Sequence, residues 1–339
     1  MPASRKTQEY VRNELPYKLL MSIYENSRAS LREIGKKLNI SYHVVHAVLK
    51  DLESRYQIVY TLDLDEGKLG FAEGRLITIK FGIKPSIDII KQTIKKEFFI
   101  QDAYLAEGDF DLLLYVVGVD PRDFQRWQWN LRVALNKYRP ELKFSSVSLR
   151  FLGVLPLRND LIKESKVLSD SEKVVLTMLN DDSRIKLSHI VKKLKITPDR
   201  ATYIIKKLCA MGIIKKFTSL VQNPDKRIFY AYCVSLMPSE KHTELIKALA
   251  NEMIKEDMHE TVNDYALAIN TNGDYDMVHL CAFKNGEDLS RRGPELLRSL
   301  WTDEEPKIEK AMLTDVVVGK WPFHLEAYDI YRKEVALSK

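Results

Sequence analysis

Ser27-Arg28-Ala29-Ser30-Leu31-Arg32-Glu33-Ile34-Gly35-Lys36-Lys37-Leu38-Asn39-Ile40-Ser41 returns 156 positions later as Ser183-Arg184-Ile185-Lys186-Leu187-Ser188-His189-Ile190-Val191-Lys192-Lys193-Leu194-Lys195-Ile196-Thr197. The match runs over 17–59 and 173–215, and a fixed internal offset is the mark of a repeated structural unit. In the first copy Leu19, Leu20 and Ile23 recur at helical spacing and stop at Asn26-Ser27-Arg28. Ser30 and Glu33 form a capping box that opens a second helix, burying Leu31, Ile34 and Leu38. Ser41 caps a third helix with Val45, Val48, Leu49 and Leu52 on one face. In the second copy Thr197-Pro198 gives the same start, Ala201, Ile204, Ile205 and Leu208 the stripe, and Gly212 the stop. Three short helices of this kind read as a helix-turn-helix (HTH), and two in one chain suit paired DNA half-sites. The β-rich stretch 57–64 reads as the start of a wing. A hairpin of 215–221 and 227–236, turning at Asn223-Pro224-Asp225-Lys226, reads as the wing of the second copy.

After each copy the pattern predicts strand, helix, strand, strand, helix, strand. The first set is 75–81, 85–96, 100–106, 112–119, 121–138 and 143–152. The second is 228–236, 240–255, 261–270, 276–282, 287–300 and 308–318. This is the βαββαβ plait, twice. The expected fold class is therefore α+β: two winged HTH domains, each followed by a ferredoxin-like plait. The expected boundaries are 1–70 and 71–154 for the first pair, 155–169 for a polar linker, 170–226 and 227–319 for the second pair, and 320–339 for a C-terminal helix. The plait turns Gly108-Asp109-Phe110-Asp111 and Gly273-Asp274-Tyr275-Asp276 share one string. Tight turns favour Gly and Asp for conformational reasons, which accounts for the paired acids better than acid–base chemistry does. Trp127 and Trp129 alternate and cannot share a helix face; one reads as core, the other as a contact between plaits.

A chain of 339 residues, 45% hydrophobic and 29% charged, is ordinary for several globular domains. It has no apolar run of 18 residues and no N-terminal signal pattern, so no membrane partner is expected. Cys209, Cys233 and Cys281 lie far apart, which favours reduced thiols in a cytoplasm, with Cys209 as a small buried residue. Neither a Ser/His/Asp arrangement nor a glycine-rich phosphate loop is evident. The net charge of +6 is uneven: 166–222 has twelve basic against five acidic residues, whereas 223–339 has 15 against 21. A basic block that coincides with an HTH points to phosphate contact.

The order of HTH, plait and Gly-Asp-aromatic-Asp turn, with Ser41–Leu52 and Leu64-Asp65-Glu66-Gly67-Lys68-Leu69-Gly70, resembles the Lrp/AsnC (feast/famine) regulators, here in tandem. The resemblance covers 17–153 and 171–319. It implies a sequence-specific regulator that binds double-stranded DNA, with RAM-type plaits for dimerisation and effector sensing, and a nucleoid location. The chain departs from the family at Val48 and Ile204, where Arg is usual, and at Tyr56, where Gly is usual. Candidate DNA-contacting residues are Ser41, Tyr42, His43, His46 and Lys50 on one reading head. On the other they are Thr197, Arg200, Thr202, Tyr203, Lys206 and Lys207. For an amino-acid-like effector the candidates are Gly108, Asp109, Asp111, Gly273, Asp274 and Asp276. No cofactor or metal is expected; His43 and His46 are spaced to share an ion, but no third ligand stands beside them. The plaits are expected to pair as an intramolecular pseudo-dimer, with further homodimerisation through 322–337. The rival reading is a siroheme-decarboxylase-like enzyme, a family with the same plan and a His/Arg-rich stretch before an Asn-Leu-Trp-Phe-like strand. Of that signature only His279 has a counterpart here.

Overall fold

The computed structural model describes residues 15–72, 74–118, 120–222, 228–235, 265–283, 285–298 and 306–319. The expected helices at 240–255 and 322–337 and the turn at 223–226 lie outside these residues. The described residues fall into two units, one within Met1–Leu69 and Ser165–Pro224, the other within Gly70–Glu164 and Asp225–Lys320.

In the first unit α1 (Leu15–Glu25), α2 (Leu31–Leu38) and α3 (Tyr42–Arg55) form one three-helix head. Leu15, Leu19, Ile23, Ile34, Val45, Leu49 and Leu52 close its core. The Ser30 hydroxyl accepts the Glu33 amide at 3.2 Å, and the Glu33 carboxylate accepts the Ser30 amide at 2.7 Å, so the capping box is present. α6 (Asn159–Glu164) ends the first stretch of the second unit, and the first unit continues with α7 (Asp170–Asp181), α8 (Leu187–Leu194) and α9 (Pro198–Ala210). The last three repeat the arrangement of α1–α3. Asn39 and Lys195, again 156 apart, both take the left-handed conformation that turns the second helix of each head into the third.

The wing hairpin expected after α9 does not form. Strand β1 (Ile58–Leu64) pairs antiparallel with β6 (Ile214–Val221), Thr61 opposite Thr218, in a two-stranded sheet that joins the two heads. The reason is burial: Thr61, Leu62, Thr218 and Leu220 are fully enclosed, which a solvated wing would forfeit. Hydroxyls complete the join symmetrically. Thr61 donates to the Asn180 carbonyl at 2.8 Å and Thr218 to the Tyr24 carbonyl at 2.7 Å. The Ser27 and Ser183 hydroxyls share a 2.5 Å hydrogen bond.

In the second unit β2 (Gly74–Phe81), α4 (Ile87–Lys95), β3 (Ile100–Gly108), β4 (Leu112–Val117), α5 (Pro121–Leu135) and β5 (Pro140–Leu152) make the first plait. From the second, the described elements are β7 (Ile228–Ser235), β8 (Tyr265–Gly273), β9 (Met277–Phe283), α10 (Gly286–Arg298) and β10 (Lys307–Val318). The edges pair crosswise, β5 with β8 and β10 with β3, closing an eight-stranded barrel. Closure leaves none of these strands with an open edge.

Two further expectations are corrected. The segment 155–169 is not a polar linker: Leu155, Leu157, Leu161, Ile162 and Leu168 are buried, and it contains α6. Arg158 ties the approach to α6 down by donating to the Glu97 and Ile100 carbonyls at 3.0 and 3.1 Å. Trp127 is core as expected, but Trp129 is not a contact between plaits, since it stands 68% exposed.

Candidate nucleic-acid interface

Helices α3 and α9 carry the outward residues that the sequence singles out. Ser41 and Thr197 are exposed N-caps, their hydroxyls accepting the Val44 and Arg200 amides at 3.4 and 3.2 Å. On α3 Tyr42, His43, His46 and Lys50 are exposed; the Tyr42 ring stacks on His46 at 5.9 Å and meets His43 edge-on at 5.6 Å. Asp51 pairs with Arg55, which neutralises the end of the helix. On α9 Arg200, Tyr203 and Lys206 are exposed and Thr202 is half-buried. The Arg200 guanidinium lies 5.3 Å from the Tyr203 ring centre, which places a cation beside an exposed aromatic face.

Not every cation counted in the sequence points outward unpaired. Lys207 donates to Glu172 of α7 at 2.6 Å, which raises its affinity for the proton. Burial pushes Glu172 up, but the hydrogen bonds from Lys207 and Ser169 outweigh it and hold the carboxyl below its ordinary range. Lys216 sits 3.6 Å from the Tyr24 ring centre, and burial lowers its pKa. Arg28 is half-buried and donates to the Ser183 carbonyl at 2.8 Å, with burial again lowering its pKa. Among the described residues, Arg200 and Lys206 are the cations of α9 that make no ion pair. Cys209, expected to be buried, is exposed; partial burial of its thiol still raises its pKa.

The turns suggested for an effector lie at the crosswise joins of the plaits. Asp109 makes two hydrogen bonds with the Lys310 backbone: its amide donates to the Lys310 carbonyl at 3.0 Å, and its carboxylate accepts the Lys310 amide at 2.8 Å. Asp274 repeats this with Phe144, at 3.0 and 2.6 Å. Gly108 and Gly273, with φ of 153° and 147°, allow the approach; a Cβ on either would stand 2.5 and 2.3 Å from a carbonyl oxygen of the opposite plait. The Asp111 carboxylate accepts the Phe81 amide at 2.9 Å and faces Lys80 and Lys84 at 3.5 and 3.2 Å. The Asp276 amide donates to the Val234 carbonyl at 2.8 Å. Beside the first turn lies a cleft of about 350 Å³ lined by Thr78, Lys80, Phe110, Glu141, Lys143 and Glu309. The Tyr275 hydroxyl reaches Thr78 at 2.8 Å and Glu309 at 2.7 Å, and Lys143 pairs with Glu309. This network joins the two plaits, and its members were not legible as a set because they are scattered over 230 residues. Among the described residues no group of three or more His, Cys, Asp or Glu could hold a metal, and no helix there is long and apolar enough to cross a membrane.

Residues 168–215 match the family model for winged helix-turn-helix DNA-binding. An uncharacterised HTH-type transcriptional regulator of Pyrococcus furiosus is 30% identical over 116 residues, 34% of this chain and 78% of the relative. The chain belongs to the HTH-type transcriptional regulators. The regulator FL11 of Pyrococcus furiosus is 31% identical over 126 residues, 37% of this chain and 76% of the relative. The siroheme decarboxylase NirDL has the same fold at a TM-score of 0.57 and 13% identity, covering 96% of this chain and 100% of that one. In the present regulator His279 lies on β9, buried, and burial drives its pKa down to about 4. The imidazole is therefore neutral near pH 7.

Proposed function

We propose that this Lrp/AsnC-like regulator binds double-stranded DNA through two non-identical reading heads in one chain and is not an enzyme. The observation that supports this best is the pair of exposed third helices, α3 and α9, on heads joined through β1 and β6. Such a join holds two recognition helices in a fixed relation, as an HTH dimer does for half-sites one helical turn apart. The two helices differ, aromatic and histidine-rich on α3 and cationic on α9, so an asymmetric operator is expected instead of a palindrome. In this reading the plaits act as an intramolecular pseudo-dimer, the closed barrel taking the place of two separate chains. An amino-acid-like effector would act on that barrel, near the turns at 108–111 and 273–276, and the protein would sit on the nucleoid.

The test is an anisotropy titration on selected operator duplexes at several salt concentrations. Binding should weaken linearly in log K against log salt, with α9 variants flattening the slope. Binding indifferent to salt and to duplex sequence would overturn the reading. The shared fold with NirDL supports the enzymatic alternative, and it has its own assay: incubation with siroheme, followed by mass spectrometry for loss of CO2. No turnover is expected, because His279, the one histidine considered for that chemistry, is neutral and enclosed in the sheet.

A further inference from the structure

The join between the heads has two sides, and they differ in a hydroxyl and a carboxylate. On the first side Tyr60 of β1 donates its phenol proton to the Glu53 carboxylate of α3 at 2.5 Å. The same oxygen accepts a hydrogen bond at 3.2 Å from the guanidinium of Arg184, which lies in the turn between α7 and α8. That guanidinium stands 5.0 Å from the Tyr60 ring centre, and the neighbouring Ser183 amide donates to the Tyr60 carbonyl at 3.2 Å. The third helix of the first head is thereby tied to the second head through one side chain. Chemistry fixes the direction of both hydrogen bonds, since a guanidinium only donates and a carboxylate only accepts. Burial first, and then the Glu53 carboxylate, push the Tyr60 phenol above its ordinary range, so it keeps the proton that Glu53 accepts. Glu53 does not serve α3 itself, because a carboxylate in the last turn of a helix opposes the helix dipole.

On the second side only the arginine is matched. Arg28 stands for Arg184 at the 156-residue offset. The Ser27 amide donates to the Phe217 carbonyl at 2.9 Å, as Ser183 does to Tyr60, so Phe217 takes the place of Tyr60. Its ring lies 5.6 Å from the Arg28 guanidinium but carries no hydroxyl. Cys209 stands where α3 has Glu53, so α9 offers no carboxylate at that position. Arg28 donates instead to the Ser183 and Ile185 carbonyls, at 2.8 and 3.4 Å.

We propose that Glu53, Tyr60 and Arg184 form a one-sided relay that positions α3 against the second head and so sets which spacing of DNA half-sites the chain accepts. The proposal rests on the DNA-binding reading above. The three are positioning residues: they act on DNA through the placement of α3, whose exposed Tyr42, His43, His46 and Lys50 are the candidates for contact.

The test is an anisotropy titration of the full chain on an operator selected from random duplexes by the wild-type protein, and on copies whose spacer is lengthened or shortened by single base pairs. The wild-type chain should prefer one spacing. Tyr60→Phe, which gives the first side the ring of the second, should lower affinity for that spacing by about tenfold, the scale of a hydrogen bond to a charged group. It should also bring the altered spacings to nearly equal affinity. Glu53→Ala should do the same, whereas Glu53→Gln, which keeps an acceptor for the phenol, should retain most of the wild-type preference. A double-mutant cycle separates the relay from direct contact of Arg184 with phosphate. Glu53→Ala and Arg184→Ala should be non-additive in the wild-type chain and additive in the Tyr60→Phe chain. Phe217 already holds the matching place in the second half, so Tyr60→Phe should stay folded at the titration temperature, as a circular-dichroism melt would show. A wild-type chain that binds no duplex overturns the DNA-binding reading and the relay with it. A wild-type chain that binds without a preferred spacing, or keeps its preference in Tyr60→Phe, overturns the relay alone. So do additive effects of Glu53→Ala and Arg184→Ala in the wild-type chain.

Discussion

The two halves of this chain are most alike where they meet each other and least alike where they face away. Ser27 and Ser183 are the same residue, as are Thr61 and Thr218, Gly108 and Gly273, and Asp109 and Asp274, and each pair makes the same kind of crosswise contact. On the outward side of the third helices the match mostly fails, Lys50 and Lys206 excepted. Counting at the 156-residue offset, Arg200 stands for Val44, Thr202 for His46, Tyr203 for Ala47 and Lys207 for Asp51. A self-complementary join constrains both partners at once, because changing one side leaves a buried donor, acceptor or void on the other. An outward helix face carries no such coupling, so the two faces are free to differ.

The largest expected break is at the inward glycines. A side chain at Gly273 or Gly108 would meet a backbone carbonyl of the opposite plait, with no flexible atom to give way. Gly273→Val and Gly108→Val should each destabilise by about 3 kcal/mol or more and lower Tm by about 10 °C in a circular-dichroism melt. Equal losses would support the equivalence of the two joins. A loss at only one of them would break it.

Next come the threonines that join the heads. Thr61→Val and Thr218→Val keep the shape but leave the Asn180 and Tyr24 carbonyls without their donors. Each should cost about 1–2 kcal/mol in urea denaturation, and by the same logic the two values should agree. Closely matched losses are the expectation; a silent Thr218→Val would show that the second half depends less on the join than the first.

Much of this was legible in the residues and some of it could not be. The capping box at Ser30 and Glu33, the N-caps Ser41 and Thr197, and the stripes of the third helices depend on neighbours within one turn, so the sequence displays them directly. The partner of a strand is different information. Residues 57–64 and 214–221 read locally as wings because each is followed by turn-forming residues, and nothing within either stretch announces a mate about 156 positions away. The segment 155–169 misled by composition: its polar residues outnumber its leucines, yet the leucines are what pack. Lys206 and Lys207 both read as outward cations, but neighbours on a helix point 100° apart, and only Lys207 reaches Glu172.

That last difference gives a sharper test of the outward face than changing both lysines together. Lys206→Ala should flatten the slope of log K against log salt by about one unit on an operator duplex. Lys207→Ala should leave the slope nearly unchanged, since its ammonium is held by Glu172 within the protein. On the first head Lys50→Ala, at the position matching Lys206, reports how far α3 shares in phosphate contact. A slope change for Lys207→Ala as large as that for Lys206→Ala would show that DNA displaces the ion pair.

The smallest expected effect comes from an inward position where the halves disagree. The aromatic residue of the first plait turn is Phe110 and that of the second is Tyr275, and only the tyrosine hydroxyl reaches Thr78 and Glu309. Burial pushes the Glu309 carboxyl up, but the hydrogen bonds from Lys143 and Tyr275 outweigh it and hold its pKa below the ordinary 4.5. A carboxyl depressed in the folded state contributes stability that is fully present above 4.5 and is lost as pH falls through the lowered value. Tyr275→Phe makes the second turn match the first and removes one of the two hydrogen bonds that lower the pKa. It should cost about 1 kcal/mol at pH 7 and reduce the part of the acid-side decline that Glu309 contributes, because its folded and unfolded pKa values move closer together. Urea midpoints measured from pH 7 down to pH 3 would show both. A variant with wild-type stability and an unchanged acid limb would mean that the tyrosine hydroxyl is no more than a substitute for water at that join, and the two turns would then be equivalent after all.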